Sequence, residues 1–173
     1  MPATPTSTCD LTALDLSAAF RAGTLSPVEV VDDVLNAVDR LDGELNAFCV
    51  VDPDGAHASA KAAERRYRDR AALGPLDGVP TSIKDIFLTA GLPTYRGSTL
   101  LADRDDHTVP TVDAPAVAAT VAAGCVVFGK TTTPEFAWKG VTDSPLVGIT
   151  RNPYDTRLTP GGSSGGSASA VAA

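Results

Sequence analysis

Between Pro27 and Gly43 the apolar residues Val30, Val31, Val34, Leu35, Val38 and Leu41 recur at the spacing that lines one side of an α-helix. The stretch is entered by "SPVE". Ser26 is placed to cap, Pro27 suits the first helical position, and Glu29 stands where its carboxylate can reach back. This helix is predicted to end near Gly43. A shorter one is predicted to start at "TALD" (Thr12–Asp15), a capping-box pattern, and to stop at Gly23. A third covers about Gly55 to Arg70, and "NAFCVVD" before it reads as a short strand.

Past Arg70 the pattern changes. "LDGVPTSIKDIFLTAGLPTYRGS" is rich in Gly and Pro, and within it "VPTSIKDIF" reads as a strand entered by a turn at Asp77–Gly78. Asp113 is predicted to cap a helix with Pro115 in its first turn. Gly124 then stops that helix, and "CVVFG" follows as a buried strand. Helix, glycine, apolar strand is the grammar of an α/β protein. "GVTDSPLVGITRNPYD" reads as loop, and "GGSASAVAA" as the start of an alanine-rich helix. No linker divides the chain, so residues 1–173 are expected to form a single domain.

Composition narrows the picture only a little. With 43% hydrophobic and 20% charged residues, the 173-residue chain has the make-up of a globular protein. A net charge of −7 argues against a nucleic-acid surface, which needs clustered Lys and Arg. "MPATPTSTCD" lacks the make-up of a secretory signal, and "APAVAATVAAGCVVFG" is too short and too interrupted for a membrane span. Cys9, Cys49 and Cys125 form no CxxC pair, and His57 and His107 stand alone, so no metal site and no cofactor are expected. The expected setting is a reducing, cytoplasmic one.

Four stretches carry candidate chemistry. "KAAERRYRDR" could be a basic patch, but its interleaved Glu and Asp favour a solvated helix face. "GCVVFGKT" matches the phosphate-loop letters GxxxxGK[ST], yet Cys, Val, Val and Phe between the glycines favour a strand over an anion cradle. "GVPTSIKD" places Lys84 in an otherwise apolar or small strand, with Asp85 facing the opposite side. A lysine in a strand is most often an edge or surface residue. Buried and unpaired, it would lose its proton readily and could then serve as a base toward a serine hydroxyl. "RLTPGGSSGGSASAVAA" combines hydroxyls with a tight glycine turn, the surroundings such a base requires.

Taken in order, "GPLDGVPTSIKDIFLTAGLPTYRGS", "GKTTTPEFAWKGVTDSPLVGITRNPYD" and "TPGGSSGGSASAVAA" resemble the amidase signature family of amide hydrolases, as does the N-terminal "FRAGTLSPVEVVD". The resemblance implies a helical N-terminal segment followed by part of a mixed β-sheet flanked by helices. It also implies a Ser-Ser-Lys triad, with Lys84 as the base and Ser163 as the bridging serine, entered by a cis Gly162–Ser163 bond. The implied chemistry is acyl transfer on a small-molecule amide, with no nucleic acid or membrane as direct partner. Self-association into a homo-oligomer stays open.

The family's nucleophile lies in a later turn of the form GTDxGGS, which also builds the oxyanion hole, and these residues do not contain that pattern. Ser164, Ser167 and Ser169 do not match it. The expectation is therefore an N-terminal fragment of a longer amidase catalytic domain, inactive by itself. Two other readings stay open: the glutaminase-like component of an amidotransferase that supplies ammonia to aminoacyl-tRNA, and a truncated, non-catalytic binding relative.

Overall fold

The computed structural model describes residues 7–103 and 109–173, so His107 lies outside the described residues. Its helices are α1 (Ala13–Ala22), α2 (Pro27–Leu45), α3 (Pro53–Arg68), α4 (Thr99–Ala102), α5 (Pro115–Ala122) and α6 (Gly165–Ala172). Its strands are β1 (Phe48–Val51), β2 (Pro80–Lys84), β3 (Val126–Thr131), β4 (Asp143–Ser144) and β5 (Gly148–Ile149). The fold is mixed α/β, as expected.

The main sheet has the order β1-β3-β2. β1 runs antiparallel to β3, with Val50 opposite Lys130 and Val51 opposite Gly129. Toward β2 the contacts advance together along both strands, from Val126 N on Val79 O to Asp85 N on Thr131 O, each 2.9 Å, so this pair is parallel and the sheet mixed. "GCVVFGKT" runs straight into β3: Gly124 turns the chain at φ +85° and the strand follows from Val126. It forms no anion loop.

The chain divides into two compact units. The first takes in the described residues up to Val38, then Pro53–Thr81 and Ala119–Phe128. Its core gathers Leu16, Phe20, Val30 and Val79, with Tyr67 stacked at a tilt on Phe20. The Thr12/Asp15 capping box opens α1, and Gly23 closes it in the left-handed region. At the head of α2 the Glu29 carboxylate accepts the Ser26 amide at 2.8 Å.

The basic face of α3 departs from the sequence reading. Arg66 is not solvated like its neighbours: its guanidinium grips the fully buried Asp77 with two nitrogens. Asp77 also accepts the Leu73 amide at 2.9 Å. Asp77→Ala therefore strips Arg66 of its partner and removes the acceptor of the Leu73 amide. Because Arg66 keeps access to water, the loss is expected to be about 2 kcal/mol, read as a lower denaturation midpoint at unchanged m-value.

The second unit comprises Asp39–Asp52, Ser82–Ala118 and Gly129–Ala173, excluding the residues not described. Two predicted boundaries shift here. α2 passes through Gly43 to Leu45, because Asn46 (φ +51°) takes the left-handed position and Asp42 Oδ1 accepts the amides of Ala47 and Phe48. Asp113 is not the cap of α5, which begins at Pro115; its carboxylate instead accepts the Ala90 amide at 2.6 Å. The interior of this unit is unusually polar. Thr131, Thr132, Thr133, Thr142 and Thr150 are all buried, and their hydroxyls join segments far apart in the chain. Thr132 Oγ1 meets Thr150 Oγ1 at 2.6 Å, and Thr142 Oγ1 donates to Gly161 O at 2.9 Å.

Candidate active site

Lys84 is the last residue of β2, and Ser163 and Ser164 immediately precede α6. Lys84 Nζ donates to Ser163 Oγ at 2.6 Å and to Ser164 Oγ at 3.1 Å. The lysine is half-buried and hydrogen-bonded, neither the open surface residue that a strand lysine most often is nor a deeply buried, unpaired one. Burial nevertheless lowers its pKa from the ordinary lysine value, because desolvation disfavours the ammonium form.

The serine turn is built by close backbone approach. A side chain at Gly162 would place its Cβ 2.7 Å from Val141 N and 2.8 Å from Gly140 C, so only glycine fits there. The Gly162–Ser163 peptide bond is cis. Thr133 Oγ1 donates to Ser163 O at 3.1 Å, and the Gly165 amide donates to Thr142 Oγ1 at 3.0 Å. Thr131 Oγ1 and Ser167 Oγ lie 2.7 Å apart. The end of β3 and the residues just after it therefore hold the turn at two points.

Of the serines that sequence reading left unassigned, Ser164 faces Lys84, Ser167 meets Thr131, and Ser169 donates to Arg151 O at 2.8 Å. His57 lies outside this site. Its ring contacts Asp32 and Pro53 O, each at 2.7 Å, and the Asp32 contact raises its pKa. Among the described residues no group of three His, Cys, Asp or Glu could hold a metal ion.

One charged group was missed altogether. Lys130, dismissed with the phosphate-loop letters, is fully buried and pairs with Asp85 at 3.0 Å. The predicted strand stops at Gly129, whereas β3 runs on to Thr131; a lysine inside a buried strand must find an anion, and Asp85 is a carboxylate just past the end of a second strand.

Lys84 on the hydroxyls of a glycine-serine turn, carried by an α/β frame, is the arrangement that the sequence resemblance to amidases leads one to expect. The chain belongs to the amidase family, whose pattern matches residues 29–173. It is 43% identical over 162 residues to a glutamyl-tRNA(Gln) amidotransferase subunit of Acidothermus cellulolyticus, covering 94% of this chain and 31% of that protein. The corresponding subunit of Thioalkalivibrio sulfidiphilus is 45% identical, with 94% and 32% covered. Among solved structures, native peptide amidase from Stenotrophomonas maltophilia superposes with a TM-score of 0.84 at 34% identity, covering 98% of this chain and 34% of that one. A bacterial aryl acylamidase of the amidase signature family superposes at 0.85 and 31% identity, with 92% and 32% covered. The chain spans about a third of the length of the curated relatives it matches.

Proposed function

We propose that the full-length protein containing these residues hydrolyses a carboxylic amide of a small molecule through an acyl-enzyme, with Lys84 as the base and Ser163 as the proton bridge. The observation that carries this reading is the 2.6 Å contact between Lys84 Nζ and Ser163 Oγ. With the amine neutral, the contact reverses and the Ser163 hydroxyl donates to the nitrogen lone pair. Ser163 Oγ can then accept the proton of an attacking serine hydroxyl. That serine adds to the amide carbonyl, the relay returns a proton to the departing amine, and water cleaves the ester. The attacking serine is assigned to a GTDxGGS turn outside these residues, the chain being the N-terminal part of a longer catalytic domain.

No helix of the described residues is long and apolar enough to cross a membrane, and the three cysteines are free. The cytoplasmic setting is proposed on the cysteine pattern alone, that of a reduced protein.

The names of the curated relatives favour a second reading, an amidotransferase component that passes ammonia to aminoacyl-tRNA. Full-length protein incubated with simple amides, without tRNA or ATP, separates the two. Ammonia or amine release is expected under the hydrolase reading, and Ser163→Ala is expected to lower the rate at least about 10³-fold with the fold retained. Release only in the presence of partner subunits and aminoacyl-tRNA would support the second reading. Undiminished release by Ser163→Ala would remove the bridge.

A further inference from the structure

We infer that Lys130, anchored by Asp85, is a positioning residue that sets Lys84 opposite Ser163; the inference rests on the catalytic reading of that site. Lys130 has no exposure to solvent and Asp85 only 1%. An ammonium group has three hydrogens to donate. Here they meet three acceptors: Asp85 Oδ1 at 3.0 Å, Phe87 O at 3.1 Å and Thr94 Oγ1. The Asp85 carboxylate also accepts the amides of Tyr95, at 3.3 Å, and Gly97. Burial pushes the lysine pKa down and the aspartate pKa up, and each charge opposes the shift of the other.

A buried ion pair adds little stability over an apolar pair of the same shape, so stability alone does not account for this one. Its geometry does more. Asp85 directly follows Lys84, and its amide donates to Thr131 O at 2.9 Å. Phe87, Thr94, Tyr95 and Gly97 all belong to the segment that leaves the end of β2. One buried ammonium thus ties that segment to β3. On the far side, Thr131 and Thr133 hold Ser167 and the Ser163 carbonyl. The end of β3 is therefore a common spacer: one arm runs through Lys130 and Asp85 to Lys84, the other through Thr133 to Ser163. Lys130 itself is enclosed and acts only through Lys84.

The test uses the full-length protein with both charges removed, Asp85→Asn with Lys130→Met, so that no lone charge stays buried. Methionine keeps the aliphatic stem, and asparagine keeps an oxygen for the Tyr95 and Gly97 amides. Expected is a cooperatively unfolding protein whose kcat on a small amide falls about 10²-fold while KM stays within about threefold, the pattern of a misplaced reacting group. The Lys84 amine, followed by NMR of ¹³C-labelled lysine and assigned with Lys84→Arg, should titrate at higher pH than in the parent. Loosened from its serine clamp it is better hydrated, which favours the ammonium form, and the acid limb of kcat should move up with it.

A folded double variant with parental kcat and parental Lys84 titration overturns the inference and leaves Lys130 as core filling. If the double variant does not fold, Thr94→Val, which removes one acceptor and spares the ion pair, should show the same signs at smaller amplitude. An unchanged Lys84 titration and kcat there overturn the inference equally. The titration needs no turnover, so the two readings fail separately. A Lys84 titration that moves in a protein hydrolysing no amide keeps the positioning role and removes the catalytic one.

Discussion

Lys84→Ala in the full-length protein is expected to lower kcat by about 10⁴-fold with little change in thermal midpoint, because it removes the base and leaves the backbone of β2 paired. Lys84→Arg should be as inactive. Its guanidinium keeps the charge and cannot give up a proton near neutral pH, so equal loss in both variants identifies proton transfer, not charge, as the contribution of position 84. The pH dependence follows from the same contact. Burial lowers the Lys84 pKa, and only the neutral amine can accept a proton. Activity is therefore expected to rise with pH along an acid limb that lies below the ordinary lysine value of about 10.4. Stopped assays of ammonia release across pH, on the parent and both variants, check all three expectations. Lys84→Arg retaining parental turnover would remove the base from the mechanism.

The second large effect is structural. Gly166→Ala is expected to destabilise the protein by about 4 kcal/mol, beyond the usual range for overpacking. The added Cβ would lie 2.5 Å from Thr132 N and 2.7 Å from Ala47 O, and would also strike the Thr132 hydroxyl. These groups cannot step aside cheaply, because Thr132 N already donates to Ala47 O at 2.8 Å. The methyl group would wedge open the backbone that joins the start of β1 to the end of β3, beneath the helix that follows the candidate serines. Thermal or denaturant unfolding of the variant reads the effect. A loss under about 1 kcal/mol would mean that α6 can lift away from β3, and would weaken the case that β3 is the spacer of the site.

Much of the local structure was legible because short-range chemistry decides it. Ser26, Pro27 and Glu29 start α2 with the groups a helix N-terminus lacks, and Thr12 with Asp15 does the same for α1. Phosphate-loop letters did not outweigh the β preference of Val126, Val127 and Phe128, which are strand in the structure. Where reading along the chain failed, a distant partner intervened. Gly43 stays helical, and α2 ends at Leu45 where Asn46 takes the left-handed position with its side-chain amide donating to Val147 O at 2.6 Å. Asp113 serves the Ala90 amide instead of a helix end. Arg66 leaves the solvated face of α3 for Asp77.

The candidate site divides along the same line. The sequence by itself determined the order of the longer helices and of β1 to β3, a lysine within a strand, and a glycine-serine turn leading into a helix, since these depend on residues a few positions apart. α4, and the short β4–β5 pair in a stretch that reads as loop, were not legible. Only the tertiary structure decided that Lys84 meets Ser163 and Ser164, and that a second lysine lies buried on Asp85 behind it. The reason is physical: a side chain's burial, and the partner that makes burial tolerable, depend on which strands lie side by side. That pairing is a property of the folded sheet, which spacing along one strand does not encode.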